Sequence, residues 1–345
     1  MAMASRDRAL DGLRGLAALA VAGGHSILTF TGLGIWALTY AQFGDQPFPV
    51  VAARLGYLVA PSDAAVMLFF VLSGHVLWAM FDRRYRGIES FPLCIAERLW
   101  RLLPTSIAAG LLFGAAVHIN YIAPMDTPEL WRTMFILSRD TNGVLWSLQV
   151  EIVASVLLFG VWAATRGRAL PAFLLAVPSI FVFLRTGSEV ALFLPAFLLG
   201  ALIREVPERI ARSLLLPLAG VPILVASSVF WGHGWEARIF EMSGAFLIVA
   251  WARAVQPRWL LSRPVQFLGL VSYPFYLVHG LGIAFAFRNM PWVPVDQTAN
   301  RVATLFILST LSALLLAWII HRLVERPAMH LRLADLVKPR EALAG

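Results

Sequence analysis

The sequence predicts an all-α protein, a polytopic integral membrane bundle of about ten transmembrane helices with both termini in the cytoplasm. Of the 345 residues, 59% are hydrophobic and only 14% are charged, whereas an ordinary soluble domain carries about 25% charged residues. The apolar residues form long stretches, and most basic residues lie in the segments between them. This composition excludes a soluble globular protein, because too little polar surface remains to face water.

Ten stretches are apolar enough to be candidate membrane spans, since a transmembrane helix needs about 20 mainly apolar residues to cross a hydrocarbon core of roughly 30 Å. The first stretch is also similar to a signal peptide, but Asp11 and Arg14 interrupt it and further spans follow. We therefore interpret it as a membrane helix. The predicted spans are 10–30, 64–81, 102–121, 144–164, 169–184, 190–203, 213–230, 239–252, 265–287 and 302–323.

The placement of basic residues predicts the orientation, because cytoplasmic loops hold an excess of Lys and Arg. With the N-terminus in the cytoplasm, 20 of the 28 basic residues lie on that side, seven lie outside, and Arg14 lies within the first span. The net charge of +8, carried by arginines and the single Lys338, is thus explained by topology and requires no nucleic-acid partner. The predicted location is the inner (cytoplasmic) membrane.

The connections between spans are short, and the longest covers residues 31–63. No soluble catalytic domain fits, so we predict one membrane domain over 1–345, with its core at 8–327 and a cytoplasmic tail at 328–345. The single cysteine, Cys94, excludes an internal disulfide and a cysteine metal cluster. An active site must therefore be built from polar side chains on helices and in short loops.

The first span carries two ionisable residues on one face. Arg14 and His25 are eleven residues apart, which places them nearly in line and about 16 Å apart along a helix. Ionisable groups inside a membrane are costly unless paired or hydrated, so each is a candidate functional residue. The alternative is structural: Arg14 reaches the membrane interface, and His25 bonds a neighbouring helix.

The ninth and fourth spans carry polar stripes as well. Ser272, Tyr276 and His279 share a face of the ninth span, with hydrogen bonding between helices as the alternative, which we prefer for Ser272. Ser147 and Glu151 share a stripe of the fourth span. A carboxylate within a span needs a cation, a proton or water. Next to this stripe, Trp146 turns towards the outer interface, a common place for tryptophan.

The second span contains the small pair Ser73-Gly74, which would let a helix or an acyl chain approach closely. The next residue, His75, points away from Ser73 and is interpreted as a packing or interfacial residue. Near the end of the last span, Pro327 is predicted to end the helix. Glu325 lies there at the depth of Arg14, which predicts an Arg14–Glu325 ion pair.

Arg98 and Arg101 lie on one face at the start of the third span. Two forked guanidinium groups suit phosphate recognition, although the placement of basic residues in cytoplasmic segments also predicts arginines here. Arg83, Arg84 and Arg86 precede them and are candidate helpers.

Together these motifs resemble acyltransferase family 3, the membrane-bound O-acyltransferases that acylate sugars and other hydroxyl compounds. The resemblance extends from Arg8 to Pro327, and Glu97 departs from it, since family members often carry a further basic residue before Arg98. The motifs that carry the resemblance are Arg14-x10-His25, Phe69-Phe70-x-x-Ser73-Gly74, Arg98-x-x-Arg101-x-x-Pro104, Trp146-Ser147-Leu148-x-x-Glu151, Ser272-Tyr273-x-x-Tyr276-Leu277-x-His279 and Glu325-x-Pro327.

The resemblance implies an acyl-CoA co-substrate, often acetyl-CoA, that arrives from the cytoplasm, and an essential first-span histidine, His25. We expect His25 to act as general base, with transient acylation of His25 as the rival route. No metal and no permanently bound cofactor are expected. The assigned residues are His25, Arg14 and Glu325 as catalytic; Arg98, Arg101 and Ser73 as donor-binding; and Trp146, Glu151, Tyr276 and His279 as acceptor-orienting.

The expected partners are acyl-CoA, a hydroxyl-bearing acceptor (a glycan, a lipid-linked sugar or a small metabolite) and membrane lipid, and formation of a homo-oligomer stays open. The alternative function is a proton-coupled exporter of a sugar or lipid, which would also use intramembrane His, Glu and Arg residues. Transporters often contain internal repeats with broken helices in matching positions. The sequence shows no such symmetry, which favours the enzyme.

Overall fold

The computed structural model describes residues 7–31, 44, 48–85, 87–122, 125–231, 234–289 and 298–331. These residues form fifteen α-helices and no strand, which confirms the all-α class. Arg86 and the tail beyond residue 331 lie outside the described residues. The helices are α1 (Arg8–Thr31), α2 (Phe48–Val59), α3 (Ser62–Arg84), α4 (Phe91–His118), α5 (Thr127–Met134), α6 (Leu145–Thr165), α7 (Ala169–Phe173), α8 (Ala176–Thr186), α9 (Glu189–Leu202), α10 (Glu208–Ala211), α11 (Leu215–Trp231), α12 (Trp235–Val255), α13 (Arg263–Asn289), α14 (Thr298–Ile320) and α15 (Arg326–His330).

Each predicted span falls on a helix, except that the stretch at 169–184 is divided between α7 and α8. The chain is a multi-pass membrane protein. The count of ten spans and the cytoplasmic placement of the termini stay predictions. Within the described residues, six segments are long and apolar enough to cross a membrane, namely Leu55–Arg84, Ile88–His118, Leu145–Thr165, Ala169–Thr186, Arg263–Asn289 and Ala303–His330.

α1 and α13 run side by side in the same direction. They begin together, where Gln266 Nε2 donates to the carbonyl oxygen of Arg8 at 2.7 Å. Further along both helices, a Cβ atom on Gly15 would lie only 2.4 Å from the amide nitrogen of Gly269, so the two backbones are in direct contact. We call the end of the bundle where α1 begins the proximal end, and the opposite end the distal end.

α3 packs against α9 at the predicted small-residue site. A Cβ atom on Gly74 would lie 2.1 Å from the carbonyl oxygen of Phe197, so only glycine permits this approach. Of the two partners expected at Ser73-Gly74, the structure shows the helix. His75, only 9% exposed, is buried at the same contact, as its packing interpretation predicts.

The end of the last long helix differs from the prediction. α14 ends at Ile320, and the chain continues through a π-helical turn, His321–Glu325, directly into α15. Pro327 therefore does not end the helix. It lies in the first turn of α15, where its missing N–H group is not needed. Such π turns are frequent at functional sites, and this one places Glu325 in the cavity described next.

Candidate active site

Most of the predicted site residues line one cavity of about 100 Å³ between α1, α3, α4, α6, α13 and the π-helical turn. We call it the polar cavity. The structure thus brings together side chains from six parts of the chain. The predicted residues that line it are Arg14, Ser73, Arg98, Arg101, Ser147, Glu151, Ser272, Tyr276 and Glu325, and the remainder of its wall is formed by Phe69, Phe70, Val76, Leu77, Leu102, Leu148 and Tyr273.

A buried ion pair crosses the polar cavity. Arg98 Nη2 donates to Glu151 Oε1 at 2.6 Å, and the same oxygen accepts from Ser73 Oγ at 3.0 Å. The cation that the carboxylate of Glu151 needs is therefore Arg98, which is only 8% exposed. Arg98 Nε is also buried, and no described residue accepts a hydrogen bond from it.

The predicted Arg14–Glu325 ion pair is wrong, although both side chains line the polar cavity. Arg14 Nη1 instead contacts Asp11 Oδ1 at 3.3 Å. His321 Nδ1 donates to Glu325 Oε2 at 2.6 Å. Each of the two side chains contacts an opposite or complementary group within about one turn of its own helical segment. Such a local contact does not depend on how two helices are placed relative to each other.

The arginines at the end of α3 and in the first half of α4 differ in how many of their hydrogen-bond donors are engaged. Arg101 is exposed, lines the polar cavity and forms no ion pair or hydrogen bond with any residue that the structure describes. Arg84 is paired with Glu97, the residue that departs from the family pattern. The same carboxylate accepts from Tyr85 Oη at 2.7 Å. Burial and this hydrogen bond raise the pKa of Tyr85, so its hydroxyl stays a neutral donor. Arg83 Nε donates to a backbone carbonyl of α3.

His25 and His279 contact each other directly, and neither lines the polar cavity. His25 Nδ1 lies 2.8 Å from His279 Nε2, and the rings stack with their centroids 5.1 Å apart. His279 is 2% exposed, and its Nδ1 lies 2.7 Å from the carbonyl oxygen of Tyr276. We call these two residues the histidine pair. The sequence predicts each as a site residue but does not predict their contact.

Tyr276 joins the two parts of the site. Its hydroxyl lines the polar cavity and lies 2.8 Å from Ser147 Oγ, while its backbone carbonyl contacts His279. Ser272, in contrast, bonds the carbonyl oxygen of Gly269 within its own helix at 3.0 Å. Its preferred interpretation, a hydrogen bond to another helix, is therefore wrong, because a local carbonyl within one turn satisfies the hydroxyl.

Trp146 does not line the polar cavity and does not contact the histidine pair. Its ring packs between Phe70 and Phe193, with centroid distances of 6.1 and 5.4 Å. It also borders an open pocket of about 410 Å³ whose polar residues include Arg139 and Glu189. The aromatic packing explains the tryptophan without a substrate contact.

Sequence reasoning missed several buried polar groups. His321 stands four residues before Glu325, a helical spacing that could have signalled the contact. Arg238 binds Asp63 at 3.0 Å and Glu241 at 2.8 Å, which joins α12 to α3 near the distal end. Glu241 is fully buried, and its position inside the predicted span 239–252 was a usable signal. Within the described residues, no cluster of three or more His, Cys, Asp or Glu side chains is arranged to hold a metal ion.

The protein is all-helical and multi-pass, and it gathers arginine, carboxylate and histidine side chains inside its helix bundle. It therefore belongs to the class of integral membrane proteins that have a buried polar site. The family model described as "Acyltransferase domain", that of acyltransferase family 3, matches residues 7–322. The chain therefore belongs to acyltransferase family 3 and is a membrane acyltransferase, which disfavours the exporter. The match ends before Glu325 and Pro327. No curated protein and no solved structure matches the chain.

Proposed function

We propose that the protein is an integral membrane O-acyltransferase that transfers an acyl group, in the first instance acetyl, from acyl-CoA to a hydroxyl of a carbohydrate or another small acceptor. The observation that carries this proposal is the placement of the polar cavity and the histidine pair on the same two helices, α1 and α13, at successive depths. The proposed location is the inner (cytoplasmic) membrane, with the proximal end facing the cytoplasm and its acyl-CoA.

The donor site is supported by two arginines with unused hydrogen-bond donors. Arg101 forms no ion pair with a described residue, and the buried Nε of Arg98 lacks an acceptor there. The guanidinium group offers forked donors that match phosphate oxygens. In this proposal Glu151 fixes Arg98, and Ser73 fixes Glu151, so these two residues shape the donor site without contacting the phosphates.

The size of the polar cavity limits what it holds. Pockets for ordinary small ligands occupy roughly 300–1,000 Å³, whereas this cavity has about 100 Å³. It admits a few water molecules or the narrow end of a donor. Binding of acyl-CoA must therefore widen it, with the nucleotide part held by arginines at the proximal end and the thioester directed towards the histidine pair.

The proposed reaction uses His25 as general base. The acceptor hydroxyl oxygen attacks the thioester carbonyl carbon while its proton passes to His25 Nε2. The C–S bond then breaks, and the CoA thiolate takes the proton from His25, which yields an ester and free CoA. Such general-base assistance contributes typically ~10²–10⁴ in rate. In the rival route, His25 itself is acylated first.

The experiment that tests the function uses the full-length protein in lipid nanodiscs with acetyl-CoA and fractions of cell-envelope glycans and small metabolites. We expect release of CoA thiol that depends on one fraction, with the acetyl group recovered on a hydroxyl in that fraction by mass spectrometry. Absence of acceptor-dependent release from every fraction, and no lost acyl mass in a deletion strain, would contradict the proposal. Acetyl trapped on His25 in quenched protein would replace the general-base route by the covalent one.

A further inference from the structure

The hydrogen bonds around the histidine pair fix the positions of its protons. A backbone carbonyl only accepts, so the 2.7 Å contact with Tyr276 O requires the proton of His279 on Nδ1. In a neutral ring, His279 Nε2 then carries the lone pair. The 2.8 Å contact with His25 Nδ1 therefore requires the proton of His25 on Nδ1. A neutral imidazole has one protonated nitrogen, so the lone pair of His25 is on Nε2.

This lone pair is unused in the structure. Among the described residues, His25 Nε2 forms no hydrogen bond, while its Nδ1 is engaged by His279. His25 is half-buried, whereas His279 is 2% exposed. His25 Nε2 is thus the one nitrogen of the pair that no described residue engages, whereas both nitrogens of His279 are engaged.

We propose that His279 is a positioning residue for the reaction: it holds His25 in the Nδ1-protonated tautomer, so that His25 Nε2 is the basic nitrogen that accepts the proton of the acceptor hydroxyl. This inference rests on the proposed function of His25. It replaces the acceptor-orienting role that the sequence suggests for His279, because both nitrogens of His279 are already engaged.

The contacts around His279 hold its ring in one orientation. Phe275 and Tyr276 pack against its ring, with centroid distances of 6.3 and 6.0 Å. The carbonyl that binds Nδ1 lies three residues earlier on the same helix, so the ring orientation is set locally by α13. When His25 takes up a proton, its Nδ1–H bond to His279 Nε2 becomes charge-assisted and strengthens. The pair therefore stabilises the protonated intermediate as well as the correct tautomer.

The test compares three variants of the full-length protein in nanodiscs. His279→Phe keeps a planar ring but removes both nitrogens, and His279→Gln restores an acceptor oxygen near the position of Nε2. We expect His279→Phe to lower kcat by about 10²-fold, the low end of what a general base contributes, with KM for acetyl-CoA unchanged. His279→Gln should recover at least about tenfold of that loss. His118→Phe, at an exposed position of α4, is the matched control and should keep wild-type kcat.

A second measurement does not depend on turnover. In nanodiscs with ¹⁵N-labelled histidine, wild-type His25 should show a protonated Nδ1 and an unprotonated Nε2, and His279→Phe should shift it towards the other tautomer. A proton on wild-type His25 Nε2, or wild-type kcat in His279→Phe, would overturn the proposal even if a variant folds poorly. Wild-type turnover in His25→Ala would instead contradict the proposed function, whereas an inactive His25→Ala with an active His279→Phe would remove only the role of His279.

Discussion

The polar cavity and the histidine pair are built in different ways. The cavity collects long charged side chains from several elements, each of which reaches the cavity through several rotatable bonds. The histidine pair uses two short side chains on α1 and α13, which are in backbone contact at Gly15 and Gly269. Charge recognition tolerates such adjustment, whereas proton transfer needs a fixed distance and direction. The difference agrees with the proposed function, in which the donor binds in the cavity and the chemistry takes place at the pair.

The substitution His25→Ala should distinguish most clearly between the role of the histidine pair and that of the polar cavity. We expect it to lower acetyl transfer by at least ~10²-fold, because the general base is lost, while the affinity for acetyl-CoA stays near the wild-type value. The measurement is CoA release together with acetyl-CoA binding in nanodiscs. His118→Ala serves as the control for histidine replacement as such. Equal activity of His25→Ala and wild type would remove the chemical role of the pair.

Breaking the ion pair in the polar cavity should cost stability. Glu151→Ala leaves the 8% exposed Arg98 without a counter-charge, and loss of one partner of a buried pair typically costs ~3–5 kcal/mol. The matched control is Glu189→Ala, whose partner Arg139 is about half exposed and whose loss should cost below about 1 kcal/mol. Denaturant titration of the detergent-solubilised protein measures the free energy of unfolding of both variants. A similar loss in the two variants would show that Glu151 is not buried as described.

The contact between α1 and α13 offers a way to disturb the histidine pair without touching it. In Gly15→Val the new side chain meets the backbone of Gly269, and overpacking of this kind costs typically ~1–3 kcal/mol. We expect lower thermal stability and lower kcat with little change in KM for acetyl-CoA. Gly160→Val, on α6 where a Cβ atom meets nothing within 4 Å, is the control. Unchanged kcat in Gly15→Val would mean that the helix contact does not set the pair.

The smallest expected effect lies at the proximal end. Arg101→Gln should raise KM for acetyl-CoA by about tenfold, equivalent to ~1.4 kcal/mol for one lost charge-assisted contact, and leave kcat nearly unchanged. Arg322→Gln removes an exposed arginine that stacks on Trp318 and does not line the cavity, so it controls for the change in net charge. Steady-state kinetics at fixed ionic strength measures KM for acetyl-CoA in the two variants. Matching KM values for the two variants would assign Arg101 to topology alone.

Helical periodicity predicts much of the site. The spacing of Ser147 and Glu151, and the shared face of Ser272 and Tyr276, place four side chains in the same cavity. The ion-pair partner of Arg14 could not be predicted in this way. Asp11 and Glu325 are both near Arg14, and the choice between them depends on a difference in distance smaller than one helical turn.

Helical periodicity also does not predict the contact between His25 and His279. It depends on the register between α1 and α13, which is fixed where two glycine backbones touch. The placement of Glu325 depends on a π-helical turn. Such turns rest on local strain and packing that a hydrophobic pattern does not encode.

The glycine contact between α1 and α13 also constrains movement. Gly15 and His25 are ten residues apart, as are Gly269 and His279, so each imidazole lies about 15 Å along its helix from the glycine contact. A change of only about 5° in their crossing angle would displace one imidazole by roughly 1.3 Å over that length and break the 2.8 Å hydrogen bond. The hydrogen bond within the histidine pair is therefore kept only if the two helices move together. Widening of the cavity that keeps this hydrogen bond has to come from the remaining lining elements, which are α3, α4, α6 and the π-helical turn.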